Sequence, residues 1–151
     1  MLKETIETRL GVRVILADSI TKATDQDGGA VMVSASHGGQ SSAEFALDHP
    51  LGLVMFNDAG GGKDDAGIAV LRLLEHHGRP AAVISHETAR IGEALDHWSH
   101  GIVSAANPTA QTRGVQAGMS VQDAVHTWID TPHGPEQDQN QNQGQDQDDD
   151  R

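Results

Sequence analysis

The chain has 151 residues, 36% of them hydrophobic, with two Phe, two Trp and no Tyr, so its core must be built from Ala, Val, Ile and Leu. Cysteine is absent, which excludes disulfides, thiolate metal sites and a cysteine nucleophile. Net charge is −12, split as 16 acidic and 9 basic side chains in residues 1–132 and 6 acidic and 1 basic in 133–151, a balance that argues against nucleic acid as a partner.

No run of 18 apolar residues and no charged-then-apolar leader occurs, so the expectation is a soluble, cytoplasmic protein without a membrane span. Residues 1–10 place Leu2, Ile6 and Leu10 four apart, as in a short helix or a flexible start, and Gly11 ends them. Val12–Ala17 is apolar and β-branched and reads as the first strand. Ile20–Thr24 is strand or a single helical turn, and Asp25–Gly29 is a turn.

Ala30–Ala35 is the next strand and runs into Ser36-His37-Gly38-Gly39. Ser41 and Glu44 have capping-box spacing, which predicts a helix ending before Pro50. Leu51–Phe56 is a third strand, followed by the polar loop Asn57-Asp58-Ala59-Gly60-Gly61-Gly62-Lys63-Asp64-Asp65. The stripe Ala66, Ala69, Val70, Leu73, Leu74 predicts a helix closed by Gly78 and Pro80.

Pro80–Ser85 is the fourth strand, and His86–Trp98 reads as a helix with Ile91, Ala94, Leu95 and Trp98 on its apolar face. Ile102–Ser104 is a fifth strand. Asn107-Pro108 predicts a helix start and a helix to about Ala117, and Ser120 opens a last helix that Thr131-Pro132 stops. From His133 the chain has no aliphatic or aromatic residue, so residues 133–151 are expected to be a disordered acidic tail beside a single domain over 1–132.

Strands alternating with helices predict an α/β fold: three layers, doubly wound, around a mainly parallel sheet of about five strands in a flavodoxin-like or Rossmann-like order. In such a sheet the strand carboxyl ends share one edge, where ligands bind. The segments after the strands carry Asp18, then Ser36-His37-Gly38-Gly39, then Asn57, Asp58 and Gly60–Asp64, then His86 and Arg90, then Ser104 and Asn107. His97, His100, His126 and His133 read as surface residues, and Asn107 equally as a cap.

Glycines 60–62 leave the backbone free to approach a ligand, and the following helix start with Lys63 favours an anion, although neither Gly-x4-Gly-Lys-Ser/Thr nor Gly-x-Gly-x-x-Gly is present. Three chemistries fit. His37 or His86 with Asp18 or Asp58 forms an acid–base pair acting on a small anion held by Gly60, Gly61, Gly62, Lys63, Asp64 and Arg90. Asp18, His37, Asp58 and His86 together have ligand types for a divalent metal that activates water. Ser36 sits in Ser34-Ala35-Ser36-His37-Gly38, which is similar to a nucleophile elbow but lacks its first glycine.

The expectation is therefore an enzyme of hydrolase or lyase type acting on a small anionic metabolite, with His37, Asp58, Lys63 and His86 central and self-association of the subunits. The alternatives are a non-catalytic nucleotide- or metabolite-binding module and a structural oligomer subunit.

Overall fold

The computed structural model describes residues 1–61 and 68–132. Six strands form one sheet in chain order: β1 Lys3–Arg9, β2 Val12–Ala17, β3 Val31–His37, β4 Val54–Asn57, β5 Ala81–Ile84 and β6 Val103–Ala106. Among the described residues the helices are α1 Gln40–Leu47, α2 Ala69–His76, α3 Ala94–His100, α4 Pro108–Gln111 and α5 Val121–Asp130, with 3₁₀ turns at Ile20–Lys22 and Asp25–Asp27.

The central strands are apolar over Val14–Ala17, Val31–Val33, Val54–Phe56 and Ala81–Ile84 because both faces are covered. Successive side chains of a strand point to opposite faces. Val14, Leu16, Val31, Val33, Met55, Ala82 and Ile84 therefore join one core with residues of α3 and α5. Ile15, Ala17, Met32, Val54, Phe56, Ala81 and Val83 join a second core with α1 and α2. Strand order runs in one direction from β2 to β5, so right-handed crossovers put α1 and α2 on the same face. The chain after β5 supplies the other layer.

The α/β expectation therefore stands, but the doubly wound, mainly parallel, flavodoxin-like or Rossmann-like sheet of five strands does not. The sheet is mixed: β2, β3, β4 and β5 are parallel, whereas β1 pairs antiparallel with β2 and β6 antiparallel with β5. Two local features explain the difference. Leu2, Ile6 and Leu10 are four apart, which also satisfies a strand period of two. Leu10 (φ 51°) and Gly11 (φ 81°) are both left-handed, as a tight hairpin requires, and they fold β1 back on β2.

At the other end, residues 86–93 are not helical, and α3 has only seven residues, roughly 10 Å at 1.5 Å per residue. That is too short to return the chain to the amino edge, so β6 starts at the carboxyl edge of β5 and runs the opposite way. With strands in chain order there is no reversal of winding, and the crevice that a doubly wound sheet opens at its reversal is not formed.

Other local signals hold. Asn107 caps α4, its Oδ1 accepting from the Ala110 amide at 3.0 Å, and Ser120 caps α5 by accepting from Asp123. The Ser41–Glu44 capping box is not made, because α1 starts earlier, with Gly39 at its N-cap. The expected helix to Ala117 is only α4. No helix among the described residues is long and apolar enough to cross a membrane. The tail at 133–151 lies outside the described residues.

Candidate functional site

At the carboxyl edge β4 and β5 end side by side, and the Asp58 amide continues their pairing by donating to the Ile84 carbonyl at 2.8 Å. The chain then turns sharply through Ala59 (φ 53°), Gly60 (φ 74°) and Gly61 (φ 83°). Three consecutive left-handed residues suit glycine, and Ala59 adopts that conformation at a cost. The strain is held by two short contacts: Ala59 N donates to Asn57 Oδ1 at 2.7 Å and Gly60 N to Asp58 Oδ1 at 2.8 Å.

Asp58 is the centre of the site. Its Oδ1 also accepts from the His86 amide at 3.0 Å and lies 3.2 Å from His86 Nδ1, while Oδ2 accepts from Ser104 Oγ at 2.7 Å. Burial pushes this carboxyl up, but the hydrogen bonds from Gly60, Ser104 and His86 together outweigh it and hold Asp58 below the ordinary carboxylate range. Asp58 is thus ionised at neutral pH. A carboxylate on Nδ1 fixes a neutral imidazole with its proton on that nitrogen, leaving Nε2 as the basic atom.

The His86 ring lies over Gly60, where a side chain's first carbon would meet Cε1 and Nε2 at 3.5 Å. Half of the His86 side chain is exposed, and it lines an open cleft of about 420 Å³ with Arg90, Ile91 and Asp96. Arg90 is 77% exposed and pairs with Glu93 at 3.3 Å, a contact that water weakens, so its charge is available to a ligand. A larger recess, about 510 Å³, lies at the opposite edge between Val12, Gly52, Pro80 and Trp128, away from these groups.

The remaining described candidates make no hydrogen bond to the Asp58–His86 pair that the structure records. Asp18 has both oxygens committed, Oδ2 to the Leu2 amide at 2.8 Å and Oδ1 to the Ala94 amide at 2.9 Å, and so ties β1 and the start of α3 to the end of β2. Burial raises its carboxyl, yet the Ala94 and Leu2 amides, the chain's amino terminus and His97 bring it below the ordinary value. Ser36 Oγ accepts from the Ile20 amide at 2.9 Å, holding the first 3₁₀ turn, and among the described residues no base is bonded to it.

His37 is exposed, and its Nδ1 accepts from Gly39 N at 3.1 Å. Gly38 is used by the framework, donating to the Asn57 carbonyl and accepting from Val70. Among the described residues no three His, Cys, Asp or Glu side chains are placed to share a metal ion, so Asp18, His37, Asp58 and His86 do not form a ligand set.

The anion cradle also changes. The amides of Ala59, Gly60 and Gly61 are all consumed inside the turn, the last by the Asp58 carbonyl at 2.8 Å. They are therefore not free to bind a ligand. Gly62, Lys63 and Asp64 lie outside the described residues. Asn107 is at the opposite edge because β6 is antiparallel; it accepts from the Ala81 amide and donates to the Arg79 carbonyl.

Two residues gain importance. Ser104 joins Asp58 because β6 begins, rather than ends, at this edge. His97, expected on the surface, is fully buried, while Leu95, expected inside, is 60% exposed. The buried face of α3 is Ala94, His97 and the following Gly101. The spacing of small residues was the available signal: a side chain at Gly101 would meet the His97 carbonyl at 2.5 Å and Ile84 at 2.9 Å, so this face presses closely on the sheet.

Compared with known proteins, the chain matches no family model, and no curated protein or solved structure is similar enough to it to register as a match.

Proposed function

We propose that this protein is an enzyme that moves protons on a small anionic metabolite, in hydrolase- or lyase-type chemistry, with His86 as the general base. The observation that supports it best is the Asp58–His86 pair: an ionised carboxylate 3.2 Å from Nδ1 of a half-exposed imidazole in an open cleft. Asp58 orients the ring and stabilises it when it takes a proton, Ser104 holds the second carboxylate oxygen, and Arg90 faces the negative charge of the substrate.

The reading is tested with p-nitrophenyl acetate and p-nitrophenyl phosphate for hydrolysis and small β-hydroxycarboxylates for elimination of water. Replacing the base lowers kcat by about 10²–10⁴-fold, the ordinary contribution of positioned proton transfer, so His86→Ala is expected to do this to the substrate that turns over. Arg90→Ala is expected to act mainly on KM. Absence of turnover across the panel, or turnover indifferent to His86→Ala, overturns the proposal.

A second reading, a subunit of an oligomer, is favoured by Ile91 and Leu95, which are 50% and 60% exposed beside the cleft. Sedimentation velocity of the protein and of Leu95→Lys separates it from the first: dissociation by that substitution without loss of turnover supports an interface alone.

A further inference from the structure

Asn57 and His97 form a buried polar pair directly beneath the site, and the hydrogen-bond partners fix every proton in it. Asn57 Oδ1 accepts from Ala59 N at 2.7 Å, so its other atom is the amide nitrogen. That nitrogen donates to the Ala89 carbonyl at 3.0 Å and lies 3.1 Å from His97 Nε2. His97 Nδ1 lies 2.8 Å from the Glu93 carbonyl, which can only accept. His97 therefore carries its proton on Nδ1 and offers a lone pair at Nε2 to the second hydrogen of the Asn57 amide.

One asparagine thus joins three segments: the 59–61 turn below Asp58, the 86–93 segment that carries His86, and α3. A proton added at His97 Nε2 would point at a hydrogen of Asn57, which has no other acceptor to turn to among the described residues. Both residues are fully buried, so bulk solvent does not reach the clash.

We infer that Asn57 and His97 are the positioning residues of the Asp58–His86 site, and that the site is assembled only while His97 is neutral. This rests on the proton-transfer reading for its consequence, but not for its geometry.

The charged groups facing His97 are Asp18 at the end of β2, Glu93 before α3 and Asp96 on α3. All three favour the charged ring, but burial outweighs them and holds His97 below its ordinary value. Asp18 is further committed to two backbone amides. The latch is therefore closed at neutral pH and opens on acidification.

The test is an NMR titration of the full chain, without substrate, from pH 7.5 downward. It follows the ¹⁵N shifts of each imidazole together with the Asn57 side-chain amide and the Ala59 backbone amide. At pH 7.5 His97 is expected to show a protonated Nδ1 and a bare Nε2. As the pH falls, the Asn57 and Ala59 signals should move with the midpoint of His97 and not with that of His86. Glutamine places an acceptor oxygen near the position of Nε2 but takes no proton, so His97→Gln should keep the pH 7.5 shifts of Asn57 and Ala59 and abolish the step.

A proton on Nε2 at pH 7.5, a step that follows His86, or a step that survives His97→Gln overturns the inference. Should His97→Gln fail to fold, the midpoints in the unmodified protein decide alone. Because no turnover is read, failure of the enzyme reading leaves this result standing, and failure here leaves any measured turnover standing.

Discussion

Replacing Asn57 by alanine removes three hydrogen bonds and leaves their partners behind. The Ala89 carbonyl and His97 Nε2 belong to residues 4% and 0% exposed, so water cannot replace the lost amide for either. Each buried group left without a partner costs about 1–3 kcal/mol. The Ala59 amide is in a partly exposed turn and finds water, so it adds little. The expected loss is about 3–4 kcal/mol, or roughly 6–16 °C in Tm at about 2–4 °C per kcal/mol for a chain of this size. That is large against a total stability of about 5–15 kcal/mol but leaves a folded protein for measurement. Urea unfolding followed by the fluorescence of Trp98 and Trp128 gives the value, with an unchanged slope as the check on two-state behaviour. Ser104→Ala, at an exposed position, is the control and should shift stability by about 1 kcal/mol or less. A loss under about 1 kcal/mol for Asn57→Ala would refute the account, because the buried partners would then have found other bonds.

Gly101→Ala should be among the most damaging single-carbon additions, since the new methyl meets the backbone carbonyl of His97 at 2.5 Å and cannot be relieved by a side-chain rotation; an overpacking cost of about 1–3 kcal/mol or more is expected, read by the same urea assay. Trp128 Nε1 is buried without a hydrogen-bond partner among the described residues, and Arg113 stacks on the ring at 3.8 Å. Trp128→Phe removes the orphaned donor and keeps most of the packing, so it should cost about 1 kcal/mol or less, whereas Trp128→Ala should cost about 3–5 kcal/mol. A Phe variant as unstable as the Ala variant would show that Nε1 is bonded in solution. Stability should also depend on pH through His97. Its folded value lies below the ordinary 6.5, so below that pH the unfolded chain binds the proton more readily, and stability falls from there down to the folded value. Asp58 and Asp18, both held below 3.8, add a second loss at lower pH, present only as the pH falls through their folded values. His97→Gln should flatten the first loss and leave the second.

The strands read at 12–17, 30–35, 51–56, 80–85 and 102–104 were legible, to within a few residues at their ends, because each is a short apolar or small-residue run bounded by glycine, proline or polar residues, and that information is local. The caps at Asn107 and Ser120 were legible for the same reason: one side chain satisfies one amide a few residues away. The position of Asp58 and His86 after parallel strands also followed from order alone, since β4 and β5 run together and both end at one edge. What the sequence left open was anything that depends on the partner across space. A spacing of four at Leu2, Ile6 and Leu10 suits a helix or a strand equally, and the hairpin at Leu10-Gly11 decided for the strand by offering β2 as a partner. The direction of β6 depended on whether residues 86–93 were helical, and those residues instead stay at the carboxyl edge, with the Ala89 carbonyl held by Asn57 and the Gly92 amide by Ala35. That reversal moved Asn107 to the far edge and brought Ser104 to Asp58. Burial of His97 is likewise a tertiary outcome: an imidazole is tolerated inside only because an asparagine 40 residues earlier donates to one nitrogen and a carbonyl accepts from the other.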